Sequence, residues 1–159
     1  MLVKLRIEIS KPPADIFNFL CNKDTFKQTS DSPVLSLEKT TTGPPGVGTR
    51  YREVVQMMPF MKGVILSEVS RFEPFSVLEE QWSGASMKGI LTYFFNPIPS
   101  GTEVVQHVNI KALGILRPFD TMLSKTYANA AQFRLECLKI LLETGKVPEL
   151  KKLKWWKSK

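Results

Sequence analysis

A chain of 159 residues, 43% hydrophobic, 10% aromatic and 23% charged, has the composition of one soluble globular domain and excludes disordered, collagen-like and disulfide-scaffold classes. The formal charge of +7 is mostly local: in residues 145–159 six lysines stand against Glu149, a net +5 that leaves +2 for the body. No nucleic-acid motif accompanies that small excess, so a nucleic-acid partner is not expected.

No basic-then-apolar leader and no apolar run of membrane-spanning length is legible, which points to the cytosol. Cys21 and Cys137 both fall in predicted helices and read as two reduced, buried thiols. The final segment, ELKKLKWWKSK, mixes lysines with Trp155 and Trp156. That is the make-up either of a tail resting on an anionic membrane or of a solvated tail, and it is set apart from a single domain over 1–144.

Residues Leu2 to Ile9 alternate Val3, Leu5, Ile7 and Ile9 against Lys4, Arg6 and Glu8, the pattern of a half-buried strand. Lys11 precedes a proline and is pushed out of the helical region, so Pro13 is the expected first residue of a helix. Ile16, Phe17, Phe19 and Leu20 carry that helix to near Asn22, and Asp24 to Thr29 is expected to add another turn. From Pro33 the pattern becomes strands joined by short turns: Val34–Lys39, Gly48–Met57, Met61–Ser70, Val77–Ser83, Met87–Phe95 and Thr102–Ala112. GPPGVG at 43–48 is a turn cluster with no phosphate-loop lysine. None of the later connections is long enough for a crossover helix, so neighbouring strands must run antiparallel.

Pro118 to Thr144 reads as one long helix, opened by a first-turn proline and closed by Gly145, with Pro148 beyond. Phe119, Met122, Leu123, Thr126, Ala130, Phe133, Cys137, Ile140 and Leu141 form its apolar stripe. Leu135, Leu138 and Leu142 widen that surface toward the first helix. Thr126 and Ala130 are small, so mid-helix the stripe leaves either a closer approach to a sheet or a space beneath it. The space is favoured, because a curved sheet does not follow a straight helix. Strand, two helices, six strands and a long helix make an α+β class with helices on one side of an antiparallel sheet.

The order of elements, together with IEISKPPADIFNFL at 7–20, VGTRYRE at 47–53, FEPFSVLEEQW at 72–82, YFFNPIPSGTEV at 93–104 and RLECLKILLE at 134–143, resembles the START-like, Bet v 1-like (SRPBCC) superfamily. Within it the chain is most similar to the polyketide cyclase/dehydrase-like branch. The resemblance implies a helix-grip fold, a curved seven-stranded antiparallel sheet around the C-terminal helix with a hydrophobic cavity between them. It implies no single activity.

Alternation assigns the inward side chains. Tyr51, Glu53, Val55 and Met57 share a face, as do Leu78, Glu80 and Trp82, then Gly89, Leu91, Tyr93 and Phe95, then Thr102, Val104, Gln106, Val108 and Ile110. His107, the one histidine, falls on the outer face. No metal-ligand set is legible and no cofactor is expected. The candidate ligand-binding residues are Tyr51, Glu53, Glu80, Trp82, Leu91, Tyr93, Phe95, Gln106 and Val108 on the sheet, with Met122, Thr126 and Ala130 on the helix. An inward glutamate is paired, hydrogen-bonded or protonated. Glu53 and Glu80 are accordingly either structural, paired with an arginine such as Arg52 or Arg71, or candidate acid–base groups with Tyr51 or Tyr93 as donor. Three functions remain open: enclosing a hydrophobic small molecule or lipid, cofactor-free cyclase or dehydratase chemistry, and protein or membrane contact through the tail.

Overall fold

The computed structural model describes residues 2–23, 34–58 and 60–146. Leu2–Ile9 forms β1 and Pro13–Cys21 forms α1. Six strands follow: β2 (Val34–Lys39), β3 (Arg50–Met58), β4 (Met61–Glu73), β5 (Val77–Ser83), β6 (Met87–Ile98) and β7 (Gly101–Ala112). A 3-10 turn over Gly114–Phe119 leads into α2 (Asp120–Thr144). The strands make one antiparallel sheet in the order β1-β7-β6-β5-β4-β3-β2. Every connection from β2 to β7 is a hairpin, and β1 closes against β7. The expected second helical turn over Asp24 to Thr29, and the tail beyond Lys146, lie outside the described residues.

Pro12 is extended and Pro13 opens α1, where its missing N–H costs nothing. Gly145 takes a left-handed conformation at φ 68° and its N–H bonds the Leu141 carbonyl, closing α2. At its start α2 differs from the sequence reading. Pro118 lies inside the tighter 3-10 turn, and the α-helix begins at Asp120, whose carboxylate accepts from the Ala112 N–H at the end of β7.

The face of α2 also differs. Ala131, Leu135 and Leu138 are buried at steps of four and three, with Tyr127 one turn earlier, while Phe119, Met122 and Ile140 are 51%, 59% and 37% exposed. The helix is turned so that the leucine flank faces inward together with Cys137 of the predicted stripe, while Phe119, Met122 and Ile140 of that stripe turn outward. The reason is α1: Ile16, Phe17 and Leu20 belong to one core cluster with Leu135, Leu138, Val104 and Phe95. Phe17 meets Phe72, Phe75 and Phe95 edge-on at 5.1, 5.7 and 5.5 Å, so α1 seals one end of the concave face.

Backbone constraints fix the hairpins. At Gly101, φ is +141°, and a Cβ there would lie 2.2 Å from the Ile9 carbonyl oxygen. A side chain is excluded where β7 leaves its turn beside the end of β1. Gly43 also has a positive φ of +88°, but open space surrounds it. Gly101→Ala should therefore destabilise the protein by about 3 kcal/mol and Gly43→Ala by only about 1 kcal/mol, read from urea midpoints at constant slope.

Candidate functional site

The register places the sheet side chains on the inner face as alternation requires. Leu91 stands opposite Val108, Tyr93 opposite Gln106 and Phe95 opposite Val104. Glu80 pairs across to Leu91 and Trp82 to Gly89, and Tyr51 faces Ser67. His107 is opposite Lys4 and Thr92 on the outer face, edge-on to Phe94 at 5.0 Å. Met122 is exposed in the first turn of α2 and so stands apart from the inner face. The side chains of Thr126 and Ala130 lie outside the described residues.

The two inward carboxylates are brought together by a cation that the sequence reading did not identify. Lys23, just past α1, sends its Nζ 2.6 Å from Glu80 Oε2, 3.3 Å from Ser67 Oγ and 3.5 Å from Glu53 Oε1. The same ammonium lies 4.3 Å over the Tyr51 ring. Its side chain is 13% exposed, against 10% for Glu80 and 20% for Glu53. The expected arginines are elsewhere. Arg52 alternates to the outer face and is exposed, while Arg71 pairs with Glu73 at 2.6 Å on the rim. Tyr51 is buried, and its hydroxyl donates to the Cys21 carbonyl at 3.5 Å, so it ties β3 to the end of α1.

Beyond this cluster the inner face is aromatic. Trp82 stacks on Tyr127 of α2, with ring centroids 5.7 Å apart and planes 8° from parallel. The indole lies directly over Gly89, where a Cβ would come within 2.8 Å of its ring. The Tyr93 phenol, across from Gln106, is pushed well above the ordinary range, first by burial and then by the Glu80 charge. Burial likewise raises the Tyr127 phenol, opposed by Arg134. Among the described residues, the Trp82 Nε1 and Gln106 Oε1 atoms are buried without a hydrogen-bond partner.

Two hollows are described. One of about 420 Å³, lined by Asn18, Cys21, Asn22, Lys23, Leu37, Lys39, Pro45 and Tyr51, opens beside the ion cluster. The other, about 740 Å³, is lined by outward residues of the sheet, Arg50, Glu68, Gln81, Lys88 and Lys111 around Leu66 and Ile90, and also touches Tyr51, Ser67, Trp82 and Gly89. It is larger, but most of its lining is exposed surface. Among the described residues no group of three or more His, Cys, Asp or Glu side chains gathers to hold a metal ion. No described helix is long and apolar enough to cross a membrane.

No family model and no curated protein matches the chain. Solved structures do match it. An uncharacterized protein from Rhizobium leguminosarum aligns over 90% of this chain and 94% of its own, at 14% identity and a TM-score of 0.69. MLL2253 from Mesorhizobium loti aligns over 92% and 99%, at 20% and 0.67. TTHA0849 from Thermus thermophilus aligns over 90% and 94%, at 23% and 0.65. What is shared is the fold.

Removing one partner of a buried ion pair leaves the other charge without compensation. Lys23→Met should cost about 3–5 kcal/mol at pH 7. Adding Glu53→Gln and Glu80→Gln should recover most of that loss, as measured by chemical denaturation. The neighbouring Cys21 thiol is pushed from 9.0 up to about 11, by burial first and Glu80 second, with Lys23 opposing. At pH 8 it therefore holds about a hundredfold less thiolate than an ordinary cysteine. Iodoacetamide labelling followed by peptide mass spectrometry should show Cys21 alkylation slower by about that factor, rising with pH toward 11.

Proposed function

We propose that the protein encloses a hydrophobic small molecule or lipid between the concave face of the sheet and α2, as a START-like, Bet v 1-like carrier or sensor acting in the cytosol. One observation carries the reading. Tyr93 and Tyr127 lie deep enough for burial to dominate their phenols, yet both keep accessible surface and are only half-buried. Leu91 and Trp82 on the same face are also half-buried. Interior side chains with reachable surface are the mark of a space among them, and a few polar groups in an apolar space are what orient a small molecule. The hollow beside Lys23, Cys21 and Tyr51 gives this space a mouth, between the end of α1 and the edge formed by β2 and β3.

Binding without chemistry is the better-supported reading. Glu53 and Glu80 are the acids available for proton transfer, and Lys23 engages both. A cyclase or dehydratase would need one of them to leave that pair.

Apolar burial at about 25 cal/mol per Å² supplies the affinity. Native mass spectrometry after mild purification should find an apolar molecule that is released on denaturation. Leu91→Trp, which fills the inner face opposite Val108, should abolish it while circular dichroism stays unchanged. Wild-type protein that carries nothing, and shows no displaceable uptake of an apolar dye, would overturn the reading.

A further inference from the structure

We infer that the bound molecule is neutral and elongated, with an oxygen acceptor at one end held by Trp82 Nε1 and a hydroxyl at the other held by Gln106. This rests on the inner-face binding proposed above and names the class of ligand it selects.

The polar groups of the inner face divide in two. Lys23, Glu53, Glu80, Ser67 and Tyr51 satisfy one another or the backbone. Trp82 Nε1 and Gln106 Oε1 are buried and have no hydrogen-bond partner among the described residues. Gln106 is 4% exposed, and buried polar atoms are almost always paired, so each orphan calls for a specific partner.

Neither side chain has room to find that partner by moving. The Trp82 indole is held between the Tyr127 ring and the Gly89 backbone. The Gln106 side chain is 4% exposed and packed between Leu5 and Tyr93 of the neighbouring strands. An indole N–H only donates, so it requires an acceptor. The amide oxygen requires a donor, and a hydroxyl also serves the amide in its flipped orientation.

A cationic donor is disfavoured. Gln106 stands between Leu5 and Tyr93, with Val104 and Val108 beside it on its own strand, and the nearby acids already hold Lys23. Along β6 the two levels are marked by Gly89 and Tyr93, opposite Trp82 and Gln106. Four residues of strand span about 13 Å, so the two ends of the ligand are far apart. Leu91 lies between them and faces the molecule's apolar middle.

The test uses three trans-stilbenes: the parent, the 4,4′-dimethoxy compound, and the 4-hydroxy-4′-methoxy compound. Binding to the full chain is read by calorimetry. The hydroxy-methoxy compound should bind about tenfold more tightly than the dimethoxy one, whose Gln106 end lacks a donor. Gln106→Leu should erase that difference. Trp82→Phe should erase the advantage of the dimethoxy compound over the parent. Equal binding of all three compounds to wild-type protein would overturn the inference and leave the binding reading intact, with water satisfying both atoms. Binding of none would overturn both.

Discussion

A single helix cannot cover a seven-stranded sheet. Six inter-strand spacings make a sheet about 29 Å wide, while a helix with its side chains is about 10–12 Å across. The sheet therefore has to curve toward the helix, and whatever the helix leaves uncovered needs another partner. At one end α1 is that partner: Phe17 packs into a ring of phenylalanines, and Ile16 and Leu20 join the leucines of α2 in one core. Toward the other end the described cover includes an aromatic stack, Tyr127 on Trp82. Burial follows this gradient, complete at Phe95, Leu78 and Val104 and partial at Leu91, Tyr93 and Trp82.

The ion cluster sits where these two regimes meet. Lys23 joins the end of α1 to β3 through Glu53 and to β5 through Glu80, and Tyr51 adds a bond back to Cys21. An ion pair this deep contributes little over an apolar replacement of the same volume, because both charges leave water. What it supplies is position. Apolar packing tolerates a sliding helix end, whereas an ammonium shared by two carboxylates and a hydroxyl fits one arrangement. That arrangement also defines the hollow beside it, since Lys23, Cys21 and Tyr51 line both.

Strand order and facing were legible because period-two alternation is strict here. Register shifts fall between Val34 and Ser36, Gln56 and Met58, and Val69 and Arg71, toward strand ends, so they leave the central register of β5, β6 and β7 intact. The start and rotation of α2 were not legible. Two apolar stripes overlap on that helix, and only the docking of α1 selects between them. The need for a cation near Glu53 and Glu80 could be argued from the expense of burying a carboxylate, but its identity could not. Lys23 follows a helix end with no pattern of its own, and it reaches the glutamates only because α1 folds back over the sheet. A signal was present in the arginines: Arg52 alternates outward, which already removed it from the inner face.

The unpartnered atoms carry a different kind of information. A fold selected only for stability would place apolar groups at Trp82 and Gln106, since an isolated donor or acceptor in the interior costs about 1–3 kcal/mol. The five-residue cluster shows that the same face can satisfy its polar groups internally, even charged ones. Among the described residues satisfaction fails at two sites, Trp82 on β5 and Gln106 on β7, whose partners on β6 are four residues apart; Tyr127 and Gly89 flank the indole, and Leu5 and Tyr93 stand on either side of the amide. Fixed orientation together with unmet hydrogen-bonding capacity is how a binding surface discriminates, because it rewards the molecule that completes it and penalises one that does not. The committed charges therefore belong to the architecture and the uncommitted dipoles to recognition, and the chemistry this fold selects is read from the dipoles.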